Sequence, residues 1–129
     1  MMTPYRRGVA FERRVQHLLE RHGWRVIRSA GSHTPVDLVA WPPVAPSAGV
    51  AGPVWVLPPV WVIQCKSSPQ ARLSGRAQAD LCDWADFVHG EAVWARPGLA
   101  GRGVVFRVWR ENRWTPVDVV AISRVEEVP

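Results

Sequence analysis

The sequence predicts an α/β fold, a mixed β-sheet flanked by helices, and three observations lead there. A helical pattern opens the chain, with apolar residues recurring at helical spacing over 6–22. Segments rich in Val, Ile and Trp then follow in succession, which is the composition of strands. A second helical pattern over 74–90 precedes the later strands, so the order is helix, three or so strands, helix, strands. The 129 residues are expected to form one domain, with a Pro-rich hairpin insertion at about 42–59.

Phe11, Val15, Leu18, Leu19 and His22 fall on one side of the first helix, and Arg13, Arg14, His17, Glu20 and Arg21 on the other. Gly23 supplies the stop. Glu12 projects only ~20° from Leu19 at ~100° per residue, at the margin of the buried face, where a carboxylate needs a partner. Trp24 to Ser29 is expected as the first strand and Val36 to Trp41 as the second, with a small polar loop, Ala30 to Pro35, between them. Val54 to Leu57 and Val60 to Cys65 are expected strands. Half of the 12 prolines lie between Trp41 and Trp61. Ser74 is a good N-cap for the second helix, whose apolar stripe is Ala77, Leu81, Trp84, Ala85 and Val88. Glu91 to Ala95, Val104 to Glu111 and Val117 to Ile122 are expected as later strands.

Composition narrows the function classes. Hydrophobic residues are 47% and charged residues 21%, the profile of a globular domain. No apolar run approaches the ~20 residues that cross a bilayer, and no secretory signal opens the chain, so the expected location is the cytoplasm. Cys65 and Cys82 are too few for a disulfide scaffold or a closed cysteine zinc site, and they are expected as buried reduced thiols. The formal charge of +5 suits a polyanionic partner such as nucleic acid. Of the 16 Lys and Arg residues, Lys66 is the sole lysine. A compact ammonium has uses in a catalytic pocket that a guanidinium does not fill.

Four positions fit one chemistry: Glu12, Asp37, Gln64 and Lys66. Asp37 interrupts an apolar strand, and Gln64 and Lys66 are two apart on another, where they share a face. Phosphodiester hydrolysis uses a metal to polarise phosphate and activate water. Mg²⁺ takes oxygen ligands and keeps several waters. Asp37 can supply a carboxylate, Gln64 a carboxamide oxygen, and Glu12 a direct or water-mediated contact, while Lys66 can steady the negative charge of the attacking or transferring group. Read singly, each has a blander role: Glu12 as a helix-surface acid, Asp37 as a strand-end cap, Lys66 as a side chain reaching solvent. The arginines Arg6, Arg7, Arg13, Arg14, Arg21, Arg25 and Arg28 lie near the same helix and loop and can contact phosphate oxygens without reading sequence. His33 stands in the loop beside Asp37. The eight tryptophans are better placed in the core or at an interface than in base stacking, with Trp41, Trp55 and Trp61 left open.

Arg7-Gly8-Val9-Ala10-Phe11-Glu12-Arg13 with Leu18 to Trp24, Arg28 to Ser32, Val36 to Ala40 and Ile63-Gln64-Cys65-Lys66-Ser67 resemble, in order and spacing, the archaeal-type Holliday-junction resolvases. Those belong to the PD-(D/E)XK, restriction-endonuclease-like nucleases. The resemblance runs from about Arg6 to Ser68. It implies a metal site of Glu12, Asp37 and Gln64, a catalytic Lys66, a loop serine at Ser32 that matters for cleavage, and DNA contacts at Arg6, Arg7, Arg13, Arg28, His33 and Ser67. It also implies Mg²⁺, with Mn²⁺ substituting, and a homodimer that nicks a four-way DNA junction symmetrically. Two features depart from the family pattern. Gln64 stands where Glu is usual, and Val36 separates Pro35 from Asp37. Two other readings stay open: a restriction- or repair-type nuclease acting on duplex or flap DNA, and a junction-binding subunit that does not cleave.

Overall fold

A computed structural model describes residues 2–29, 34–43, 45–47, 54–56 and 59–120, with backbone alone for 45–47 and 54–56. Helix α1, Pro4–Arg21, begins where Thr3 accepts a hydrogen bond from the Arg6 N–H at 3.2 Å and proline occupies the first turn, whose N–H would have no helical partner. Phe11, Val15 and Leu19 form its buried stripe. Gly23, at φ 87°, reverses the chain after His22 and delivers the buried Trp24 back against that stripe.

Strands β1 (Arg25–Arg28), β2 (Leu38–Trp41), β3 (Ala45–Ser47), β4 (Val54–Val56) and β5 (Trp61–Cys65) precede helix α2 (Gly75–Phe87). Strands β6 (Glu91–Pro97), β7 (Val104–Arg110) and β8 (Arg113–Val117) follow it. Six of them make one mixed sheet in the order β1-β2-β5-β6-β7-β8. Only β5 and β6 pair in parallel. That pairing requires a crossover, and α2 supplies it. β3 and β4 pair antiparallel as a separate two-stranded sheet. No helix among the described residues is long and apolar enough to cross a membrane.

Each face of the sheet buries its own cluster. Leu38, Ala40, Trp61, Ile63, Val93, Ala95, Phe106 and Val108 pack under α1, and Val62 and Ala92 pack with Leu81 and Ala85 of α2. Alternation along the strands accounts for the division. It slips once: Val36 and Leu38 are two apart yet pack on opposite faces. The Asp37 N–H donates to Ile63 O at 2.8 Å, although Ile63 is the register partner of Leu38. The irregular step therefore falls at Asp37.

Two expectations are corrected. The last strand was expected at Val117 to Ile122, whereas β8 is Arg113–Val117. A two-residue turn, Glu111-Asn112, with φ of 52° and 60°, closes the β7–β8 hairpin and pairs Arg110 with Arg113, so the strand begins four residues earlier. Asn112 was the signal for it. Residues 119–120 are already helical, and residues 121–122 lie outside the described part. In the α2 stripe, Leu81 and Ala85 are buried, but Trp84 is 40% exposed and packs edge-on against the exposed Phe87. Trp24, Trp61 and Trp94 are buried, and Trp41 is exposed. Cys65 and Cys82 are free thiols, both partly buried.

Candidate active site

Asp37 sits at the irregular start of β2, and one carboxylate oxygen is held by the fold itself. Its Oδ2 accepts the backbone N–H of Cys65 at 2.8 Å. That bond ties β2 to β5 where their regular pairing ends and brings the Gln64-Cys65-Lys66 segment against Asp37. The carboxyl is raised from the ordinary 3.8 to about 6. Burial is the main cause, the nearby Glu12 charge adds to it, and the Cys65 N–H, Lys66 and Arg28 oppose it. Asp37 is thus a half-buried acid whose charge the surrounding cations leave undercompensated.

Glu12 faces the same place from α1. Its Oε2 accepts from Arg28 Nε at 2.9 Å, with the two side chains 18% and 25% exposed. Arg28 is therefore the partner that a half-buried Glu12 needs, and the ion pair holds the guanidinium still more firmly charged. Sequence reasoning gave Arg28 to DNA alone. Its position at the end of β1, on the face that carries the partly buried Val26, could have pointed to this second role. Glu12, Arg28 and Asp37 line one cavity of about 290 Å³ with Tyr5, Gly8 and Val9. The absence of a side chain on Gly8 helps open that wall.

Gln64 and Lys66 project, by alternation from Val62, toward the α2 face. Lys66 is half-buried, its N–H donates to Ala95 O at 2.9 Å, and its ammonium is close enough to act electrostatically on Asp37. Gln64 Oε1 is buried and has no hydrogen-bond partner among the described residues. Cys65, between them, points back under α1, where burial first and the Asp37 and Glu12 charges next push its thiol well up. It is a neutral packing group and no nucleophile.

The expected residues thus divide. Asp37 is linked electrostatically to Glu12, Arg28 and Lys66, whereas Gln64, on β5 with its side chain toward the α2 face, bonds to none of them. Ser32 and His33 lie outside the described residues. Arg6 and Arg13 are exposed on one side of α1, whereas Arg7 and Ser67 line a groove on its other side. Arg14 is committed to the fold, donating to Gly101 O and Gly103 O at 3.2 and 3.0 Å.

Among the described residues no three His, Cys, Asp or Glu side chains converge as a metal site would require. The donor set still fits a hard divalent cation that keeps part of its water shell. Asp37 offers a half-buried, undercompensated carboxylate and Glu12 a second one, while the buried, unsatisfied Gln64 Oε1 projects toward the α2 face of the same strand end.

Comparison with known proteins agrees on the family. The family model for archaeal Holliday junction resolvase (Hjc) matches residues 3–96. The crossover junction endodeoxyribonuclease Hjc of Methanocaldococcus jannaschii is 55% identical over 40 residues, which span 31% of this chain and 29% of that protein. The fold is similar to that of the solved Archaeoglobus fulgidus Hjc, a Holliday junction resolvase from an archaeal hyperthermophile. That likeness has a TM-score of 0.60 at 20% identity and covers 88% of this chain and 96% of the other.

Proposed function

This chain belongs to the archaeal Holliday junction resolvase family, and from that premise we propose that it is a divalent-metal-dependent endonuclease that resolves four-way DNA junctions by paired symmetric nicks. The observation that carries the reading is the half-buried Asp37 carboxylate, held by the Cys65 N–H and raised to about 6, with Glu12 and Lys66 both within electrostatic reach. Asp37, Glu12 and Gln64 would hold the cation, Mg²⁺ with Mn²⁺ as a substitute. When bound, such an ion polarises the scissile phosphate and acidifies water.

The chain's own residues do the rest. Cys65 N–H fixes the Asp37 carboxylate against rotation. Arg28 fixes Glu12 and places a permanent positive charge on the cavity wall, where a phosphate can share it. Lys66 offers an ammonium to the negative charge that grows on the attacking and transferring oxygens. Ser32, in the loop, would take part in cleavage, while Arg6, Arg7, Arg13, Ser67 and the loop's His33 would steady the DNA backbone. Such contacts position a substrate without reading its bases, which suits an enzyme that selects shape. A homodimer fits because a two-fold substrate is cut twice by a two-fold protein.

The test compares cleavage of a labelled four-way junction, a linear duplex and a flap in Mg²⁺. The junction is expected to be cut first and symmetrically. Preference for duplex or flap would transfer the fold to a repair- or restriction-type nuclease. A second reading, a junction-binding subunit that does not cleave, is favoured by one observation: Gln64 supplies a neutral amide where the family usually has a carboxylate. Binding without product in Mg²⁺ and in Mn²⁺ would select it.

A further inference from the structure

The outer face of α1 carries a row of basic side chains that neither the acidic cavity nor the fold uses among the described residues. Arg6, Arg13, His17 and Arg21 are spaced i, i+7, i+11 and i+15, which places them within roughly 80° on the helix surface. All four are exposed, and none takes part in a side-chain hydrogen bond or ion pair among the described residues. Arg14, their neighbour, differs because it clamps the 98–103 loop. The four line an open groove of about 990 Å³ whose lining contains no carboxylate. The groove runs into the acidic cavity, for Tyr5, Val9 and Arg28 line both. Tyr5 stands at the shared rim, 78% exposed.

We propose that this groove seats the sugar-phosphate backbone of one duplex arm and leads it to the acidic cavity, with Arg13, His17 and Arg21 as its contacts beyond the site of cutting. The proposal rests on the nuclease reading above and names where that substrate's arm lies. From Glu12 to Arg21 the helix rises about 13 Å, so the track reaches past the scissile phosphate to several of its neighbours on one strand. Arg13, His17 and Arg21 step along the axis by about 6 Å each, a spacing suited to successive phosphates and poorly suited to a single small anion.

The test measures binding to a four-way junction and to a linear duplex across a salt series, without divalent metal. Wild type is compared with Arg21→Gln and with Arg21→Lys. A lost phosphate contact flattens the slope of log affinity against log salt by about 0.9. The affinity lost between 50 and 200 mM salt then shrinks by about 3.5-fold for Arg21→Gln, while Arg21→Lys keeps the wild-type slope. Methylphosphonates placed one at a time beside the cut locate the contact. At the matching position wild type loses affinity and Arg21→Gln loses no more. Equal slopes for wild type and Arg21→Gln on both DNAs overturn the proposal and leave these arginines as a solvated helix face. A changed slope on both DNAs without preference for the junction upholds the groove and removes the junction reading.

Discussion

Replacing Asp37 with Asn should stabilise the metal-free protein, and only at high pH. In the folded chain this carboxyl is raised from 3.8 to about 6, chiefly by burial and next among the raising causes by the Glu12 charge. A folded-state value above the unfolded one means that the fold favours the protonated acid. The corresponding stability is fully present below about 3.8 and is lost as pH rises through about 6. The gap corresponds to roughly 3 kcal/mol. Asparagine removes the half-buried charge yet keeps an oxygen for the Cys65 N–H. In chelator, chemical denaturation at pH 8 should find Asp37→Asn more stable by up to about 3 kcal/mol, with the advantage fading near pH 4. Added Mg²⁺ should then stabilise wild type alone, by about 2.7 kcal/mol at a hundred times its dissociation constant, and narrow the gap. A gap independent of pH, or a variant less stable at pH 8, refutes the reasoning.

Other outcomes follow from single contacts. Arg28→Gln leaves Glu12 unpaired beside Asp37 and should cost roughly 1–2 kcal/mol in urea denaturation at pH 8, less at pH 4. Leu81→Ala empties a fully buried site beneath α2 and should cost about 2–5 kcal/mol in thermal unfolding. Gly90→Ala drives a methyl into the backbone oxygen of Val60, at the close approach where α2 leads into β6, and should destabilise by about 1–3 kcal/mol in urea denaturation. Gln64→Glu adds a unit charge to the site, and titration calorimetry with Mn²⁺ should show at least about fivefold tighter binding, from about 1 kcal/mol of added attraction.

The scaffold was readable where periodicity was strong. The apolar stripe Phe11, Val15 and Leu19 located α1, and the Val- and Ile-rich run before Cys65 located β5 to within a residue. The last strand was misplaced because the apolar residues after Pro116 look like a strand. Two consecutive positive-φ residues, Glu111 and Asn112, set the hairpin instead. Trp84 shows the limit of helical spacing, which orders a stripe without stating how wide the covering surface is. At the site, the residue types and their spacing singled out Glu12, Asp37 and Lys66. The pair between Glu12 and Arg28 and the hold of Cys65 N–H on Asp37 were not readable. Both join segments distant in sequence, one through a backbone donor that leaves no trace in residue identity.

The most direct measurement is cleavage of an end-labelled four-way junction in Mg²⁺ by wild type and by Lys66→Ala, at enzyme excess and matched folding. Wild type should give paired nicks, and the variant should lose product by about a hundredfold or more, of the order seen when one charge-stabilising group is removed. Equal cleavage by the two proteins would contradict the charge-stabilising role of Lys66.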